Sequence, residues 1–326
     1  MRRVFRFLGI ALLSLLGLAA LLAALLAYFV YAPTPDDPHL PGTLKKASIT
    51  VDGLTRNYLT YVPRGLPNGM PLVMVMHGSG ESAAQIRAET GYEFERLAEQ
   101  YNFAVVYPES ASFDWNDCSK AGDFTVNGKV VDDVAYIAAL EDKLVTALHV
   151  DPKRVYATGV SAGGFMALRL ALEAPTRFRA VAAVAAQVPR PENFKCQPAG
   201  AGTSVMIMNG TKDPLVPYAG GEVNLLGLFY KGGNVHSSLE SGQYFADYNK
   251  IKGEPASQET TVVNGVSVER IVWRNDAATE VELVAIHDGG HGLPQAYYRR
   301  PRLLGPSPMA PDGPAIILDF FMRQRP

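Results

Sequence analysis

The sequence is short of charge of either sign in excess. Its 30 Lys and Arg nearly balance 32 Asp and Glu, a net charge of −2, and no basic cluster interrupts the body of the chain. This balance excludes the electrostatic footprint of a nucleic-acid or polyanion binder. Cysteine is scarce, with two residues in the whole chain. Neither lies near the N-terminus, which argues against a lipid-modified N-terminal cysteine. Histidine numbers six, so candidates for a catalytic base are few. Internal repeats are absent, and low-complexity sequence is confined to the first 42 residues.

What is present begins with a long apolar run. Arg2, Arg3 and Arg6 precede a stretch from Phe7 to Ala32 without a charge. As a helix its roughly 26 residues would reach about 39 Å at ~1.5 Å per residue, more than the ~30 Å hydrocarbon core of a bilayer. A signal-peptide apolar core is shorter, about 7–15 residues, and Pro33 makes a poor cleavage context after Ala32. Residues 1–32 are therefore expected to be an uncleaved signal anchor with the arginines inside and the bulk of the chain exported. A long, cleaved signal peptide is the alternative, leaving a soluble protein in the exported compartment. Pro33, Pro35, Pro38 and Pro41 make residues 33–44 an extended spacer rather than a packed element, lifting the remainder off the membrane. Residues 45–326 suit one large α/β domain.

Within that domain, Gly159-Val160-Ser161-Ala162-Gly163 lies between a β-rich run, 154–158, and a helical pattern from Gly164 to Leu172. A serine on a sharp strand-to-helix turn exposes its hydroxyl at a sheet edge, and the amide after it can face an oxyanion. The order of elements supports this reading. Ala47 to Val62 reads as a hairpin turning at Asp52-Gly53, and 71–76 as a strand buried on both faces. A helix is expected over Ala83–Gln100, a strand over 103–107 and a helix over Asp132–Leu148. Strands follow at 179–186, 203–208 and 281–286, with a β pattern from Gln258 to Trp273 turning at Asn264-Gly265 and a closing helix over 314–323. A hairpin followed by alternating strands and helices predicts an α/β-hydrolase fold, a mostly parallel central sheet with helices on both faces.

In that layout the acid and the histidine follow the serine in the chain. His291, in Asp288-Gly-Gly-His-Gly-Leu-Pro294, is the expected base, because glycines let its loop reach back over the sheet. His287 reads as a strand-end residue, His236 as a surface-loop residue, and His39 and His149 as spacer and helix-end residues. Asp213 follows the strand at 203–208 directly and is the expected acid, with Asp288 the runner-up. Ser161, Asp213 and His291 thus form a candidate catalytic triad. His77-Gly78-Ser79-Gly80 after the strand at 71–76 is an H-G-type element, so the backbone amides of Ser79 and Ala162 are the candidate oxyanion hole. His77 reads as loop support. Trp115 lines a substrate pocket or packs the loop, and 219–257 forms either a cap or peripheral structure.

These motifs resemble the polyhydroxybutyrate depolymerase and feruloyl esterase group of carbohydrate esterase family one over roughly residues 45–325. The similarity rests on His77-Gly78, Tyr107-Pro108, Asp114-Trp-Asn-Asp-Cys118, Val131–Ile137, the block Val150–Gly164, Cys196-Gln-Pro198, Gly210–Tyr218 and Gly289–Pro294. The resemblance implies hydrolysis of small-molecule or oligomeric carboxylic esters through an acyl-enzyme, without a metal or other cofactor. Leu293 stands where the group often has tryptophan, and Asn209 where it often has histidine. Both positions neighbour the cleft, so Leu293, with Tyr218 and Trp115, is a candidate for the substrate pocket. Three other readings remain open: an exopeptidase of this fold, an acyltransferase, and a non-catalytic, membrane-tethered binding domain. Neither the ester's identity nor the oligomeric state is legible. Finally, Cys118 and Cys196 both fall in the exported domain, in loops leaving the carboxyl edge of the sheet, and are expected to form a disulfide.

Overall fold

The computed structural model describes residues 2–122, 124–126, 128–225, 227, 229–274 and 279–324. The apolar run is one helix, α1 (Arg2–Val30). Its stretch Phe5–Val30 is long and apolar enough to cross a membrane, a property shared with signal sequences, and none of it is buried against the rest of the protein.

The hairpin β1 (Thr43–Val51) and β2 (Leu54–Val62) follows. Asp52 at φ 52° and Gly53 at φ 79° supply the two left-handed residues of a tight hairpin turn. Next come β3 (Met70–Met76), α2 (Ala83–Glu89), α3 (Glu93–Tyr101) and β4 (Ala104–Pro108). A short ribbon, β5 (Thr125–Val126) with β6 (Lys129–Val130), precedes α4 (Asp133–Leu148), β7 (Val150–Val160), α5 (Ala162–Glu173), β8 (Ala180–Val184) and β9 (Ser204–Gly210). A second ribbon, β10 (Gly221–Leu225) with β11 (Phe229–Val235), leads to α6 (Ser238–Tyr248), β12 (Ser257–Val263), β13 (Val266–Arg274), β14 (Glu280–Ile286) and α7 (Gly313–Arg323). The main sheet has ten strands in the order β1-β2-β4-β3-β7-β8-β9-β14-β13-β12. From β4 to β14 every pairing is parallel, and both edges are closed by antiparallel hairpins.

The side-chain alternation of β3 shows how the core divides. Leu72, Met74 and Met76 enter one apolar cluster, with Leu140 of α4, Met166 of α5 and Phe245 of α6. Val73 and Val75 enter the other, with Ile86 of α2, Phe94 of α3 and Phe320 of α7. Helices therefore cover both faces, which is why the parallel strands are apolar throughout.

Two expectations are corrected. The helix expected over 83–100 is two helices. Gly91 at φ 67° and Tyr92 at φ 57° break it, and the break has a packing reason. A Cβ at Gly91 would stand 2.7 Å from Oε1 of Gln295 and 2.9 Å from Cβ of Tyr297, so the late loop packs where a continuous helix would carry a side chain. The proline-rich segment is also not a free spacer. Asp37 pairs with Arg87 at 3.0 Å, the carbonyl of Pro35 accepts from Tyr92 at 3.3 Å, and Leu40 packs on the core. The extended backbone that proline imposes lies along α2 and α3, and β1 begins already at Thr43.

The start of α3 carries a pH-dependent cost. Burial, aided by nearby Asp312, pushes the Glu93 carboxyl from its ordinary 4.5 up to about 7. A carboxyl raised in the folded state stays protonated there while the unfolded chain ionises, so its contribution to stability is lost as pH rises from about 4.5 to 7. Glu93→Gln should flatten that fall. Denaturant midpoints at pH 5 and pH 8 check it: the variant should gain on the wild type at the higher pH, and an equal difference at both would contradict the assignment.

Candidate active site

The serine sits where strand gives way to helix. β7 ends at Val160, α5 begins at Ala162, and Ser161 between them has φ 57° and ψ −122°. That backbone is strained for a non-glycine residue and persists only where its surroundings over-determine it. They do so here. The Ser161 amide donates to Val184 O at 2.8 Å, and a Cβ on Gly159 would stand 2.4 Å from the carbonyl carbon of Gly163. A Cβ on Gly163 would stand 2.3 Å from Met76 O. Only glycine lets α5 approach β7 and β3 this closely.

Asp213 lies three residues beyond β9, and its carboxylate accepts three hydrogen bonds. Oδ1 takes the amides of Leu215 at 2.8 Å and Val216 at 2.9 Å. Oδ2 takes Nδ1 of His291 at 2.8 Å. With Nδ1 donating, Nε2 of a neutral imidazole is an acceptor. The His291 loop is tied from behind, Gly290 N donating to Pro306 O and His291 N to Leu304 O, each at 2.7 Å. The other acid lies elsewhere: Asp288 is an exposed residue paired with Lys212 at 2.8 Å. His287 faces Glu269 of β13 at 3.8 Å, His236 lies beside Glu240 at 3.7 Å, His149 caps α4, and His39 is exposed.

The loop after β3 is held on both sides of Ser79. Gly78 N donates to Glu81 Oε2 at 2.8 Å, and Gly80 N donates to Phe113 O at 2.6 Å. Among the described residues no protein acceptor takes the Ser79 amide between them. The Ser79 hydroxyl donates to Asp114 at 2.8 Å. His77 is buried and supports this loop: Ser110 N donates to its Nε2 at 3.0 Å and its Nδ1 donates to Gly78 O at 2.7 Å. Burial holds its pKa below the usual histidine value, consistent with a neutral ring.

Ser79, Ser161, Ala162 and His291 line one cavity of about 200 Å³. Its apolar walls are Phe113, Phe165, Leu215, Val216, Val223 and Leu225, and Glu81, Arg300 and Leu304 complete it. A roomier cleft of about 410 Å³, lined by Arg177, Arg179 and Ser204, sits at the amino ends of the strands and holds none of the candidate catalytic residues.

The expected pocket residues are corrected, since none lines this cavity. Trp115 is fully buried. Its indole donates to His77 O at 2.9 Å, so it packs and braces the loop carrying Ser79. Leu293 is half-buried and packs against the apolar cluster to which α7 contributes, and the Tyr218 carbonyl accepts from Ser238 N of α6 at 2.9 Å. The walls come instead from β10, which brings Val223 and Leu225 to the serine. The 219–257 segment therefore divides: β10 contributes to the cavity and α6 packs on the sheet. Asn209 braces β8 and α6, bonding Ala186 O at 3.1 Å and Ser238 Oγ at 2.8 Å.

Arg300 and Glu89 were not expected. The Arg300 guanidinium reaches Glu89 at 2.6 Å and Glu81 at 3.4 Å, and burial pushes Glu89 up to about 7 against the pull of that cation. Arg299, Arg300 and Arg302 are also a local basic cluster, contrary to the expectation from net charge, which averages such clusters away. Arg299-Arg300-Pro301-Arg302 was the available signal. Cys118 and Cys196 are bonded, with Cα atoms 4.9 Å apart, and the adjoining chains zip together through Lys195 N to Cys118 O at 2.9 Å. Among the described residues, no group of three or more His, Cys, Asp or Glu gathers as a metal site.

The family described as esterase PHB depolymerase matches residues 56–216. NocK of Nocardia uniformis subsp. tsuyamanensis, which bears the name of an esterase, is 29% identical over 308 residues, 90% of this chain and 86% of its own length. Poly(3-hydroxyalkanoate) depolymerase C of Paucimonas lemoignei is 32% identical over 128 residues, 38% of this chain and 30% of the depolymerase. The acetyl xylan esterase from Aspergillus awamori shares the fold, with a TM-score of 0.57 at 18% identity over 77% of this chain and 94% of that one.

Proposed function

We propose that this carboxylic ester hydrolase, whose residues 56–216 match the family described as esterase PHB depolymerase, works through Ser161, His291 and Asp213 on esters of compact aliphatic acyl groups. The observation carrying this is the 2.8 Å bond from His291 Nδ1 to Asp213 beside a cavity that also contains Ser161. His291 Nε2 takes the proton of Ser161 Oγ as the oxygen attacks the ester carbonyl. The amides of Ser79 and Ala162 hold the oxyanion. His291 then protonates the departing alkoxide, and a water repeats the sequence on the acyl-enzyme. Asp213 keeps the imidazole in the required tautomer, its other oxygen being already engaged by two amides.

The substrate class follows from the walls. About 200 Å³ falls below the ~300–1,000 Å³ of pockets that swallow drug-sized ligands, and Phe165, Val216 and Val223 offer the acyl chain no polar partner. A short hydroxyalkanoate or acetyl ester suits it better than a feruloyl ester. We read α1 as an anchor that keeps the domain at the outer surface of a membrane. A panel of p-nitrophenyl acetate, hydroxybutyrate oligomers, feruloyl esters and aminoacyl amides tests the function. Turnover of the first two with fluorophosphonate labelling of Ser161 is expected; a preference for aminoacyl amides, or no labelling, would displace the proposal.

A further inference from the structure

Where α1 ends, it touches the loop that holds the catalytic-site histidine. Arg302 donates from Nη1 to Tyr28 O at 3.1 Å, and its guanidinium lies 4.3 Å from the Tyr28 ring centroid. A cleft of about 460 Å³ opens between Tyr31 and Pro33 on one side and residues 297–309 on the other. Arg299 and Arg302 line it, and both are exposed. Among the described residues neither meets a carboxylate within ion-pair distance. Among the described residues Arg299 reaches the Met309 sulfur, at 3.1 Å. Arg300, by contrast, is neutralised by Glu89 and Glu81.

The anchor reading given above sets the depth of this cleft. If Phe5–Val30 crosses the bilayer, Tyr28, Phe29 and Tyr31 lie at the headgroup level, where aromatic side chains concentrate. Anything that touches Tyr28 lies there too. Two unneutralised guanidinium groups at that depth face phosphate, which their planar fork suits. We infer that the cleft between the end of α1 and Arg299–Arg302 is a binding site for the headgroup of an anionic phospholipid of the membrane the anchor spans. Its floor is the turn whose Leu304 carbonyl holds His291 N at 2.7 Å, and Leu304 also lines the serine cavity. A lipid seated there fixes the mouth of the ester site against the bilayer surface.

The test is a titration of the full chain in non-ionic detergent with dihexanoyl phosphatidylglycerol, dihexanoyl phosphatidylcholine and inorganic phosphate, followed by calorimetry. N-terminal sequencing of the same sample reports separately on the anchor. Both lipids carry a phosphodiester, but the choline cation offsets it in phosphatidylcholine, so with two guanidinium groups facing the headgroup phosphatidylglycerol should bind at least about tenfold tighter. The Arg299→Ala/Arg302→Ala variant should lose that preference and Arg299→Lys/Arg302→Lys should keep most of it. Unchanged hydrolysis of p-nitrophenyl acetate will show that both variants are folded. Equal affinity for the two lipids, with α1 present, overturns the site and leaves the anchor standing. Phosphate binding as tightly as phosphatidylglycerol overturns the headgroup assignment. An N-terminus beyond Ala32 removes Tyr28 and Tyr31 and overturns both readings.

Discussion

Ser161→Ala and His291→Ala should each lower ester turnover by roughly 10⁴-fold or more while leaving the melting temperature close to that of the wild type. The magnitude follows from how such groups act: nucleophile and base work as one unit, so losing either forfeits nearly the whole covalent route, and what survives comes from the oxyanion donors and binding. The effect on folding should be small, since neither residue carries the core. Asp213→Asn should fall by a comparable factor. Its amide can still occupy the site, but it offers His291 Nδ1 a poorer acceptor and unsettles the tautomer that leaves Nε2 free. Asp288→Asn should stay near wild type, because that residue is exposed and bonded to Lys212 at 2.8 Å. The measurement is kcat on p-nitrophenyl acetate for all four variants with thermal denaturation alongside. If Asp288→Asn is the damaging aspartate substitution, or if Ser161→Ala keeps wild-type turnover, the assignment of roles is wrong.

Reducing the Cys118–Cys196 bond should produce the largest loss of stability that a covalent change can make here. The bond joins residues 78 apart, and in the chain-entropy model a loop of that length contributes about 4.5 kcal/mol by restricting the unfolded chain, with measured gains often smaller. The loss should have a local consequence for function. Cys118 stands three residues from Trp115, whose indole donates to His77 O at 2.9 Å, and His77 in turn supports the turn carrying Ser79. The double variant Cys118→Ser/Cys196→Ser should therefore melt well below the wild type and lose turnover even at temperatures where it remains folded. A variant whose melting temperature matches the wild type would show that the bond restrains nothing the fold does not already hold.

The motifs are legible in the sequence because each obeys a local rule. A serine between glycines, preceded by a β-rich run and followed by a helical one, satisfies the strand-turn-helix geometry from neighbours in the chain. The same holds for Asp52-Gly53 and Asn264-Gly265, whose positive φ values are properties of the turn residues themselves. The order serine, aspartate, histidine, and the placement of Asp213 straight after a strand, followed from the direction of a parallel sheet, as did the meeting of two cysteines on loops from one sheet edge.

What escaped was decided by packing between segments far apart in sequence. Propensity favours one helix over 83–100; the approach of Gln295 and Tyr297, some two hundred residues later, breaks it at Gly91. Trp115 carries no local sign of whether it faces a substrate or the interior, and the carbonyl of His77 settles the matter. The pocket walls at Val223 and Leu225 belong to a ribbon whose folding over the serine is not encoded in its alternation. Arg300 finds Glu89 and Glu81 only because the histidine loop crosses α2. The sequence by itself determined the fold class, the strand-turn-helix element at Ser161 and the order of the proposed Ser161, Asp213 and His291 along the chain, since these rest on short-range backbone preferences and sheet direction. Tertiary structure alone decided the cavity walls, the buried Arg300 cluster and the contact between Arg302 and the end of the apolar helix, since those depend on which distant surfaces exclude water together.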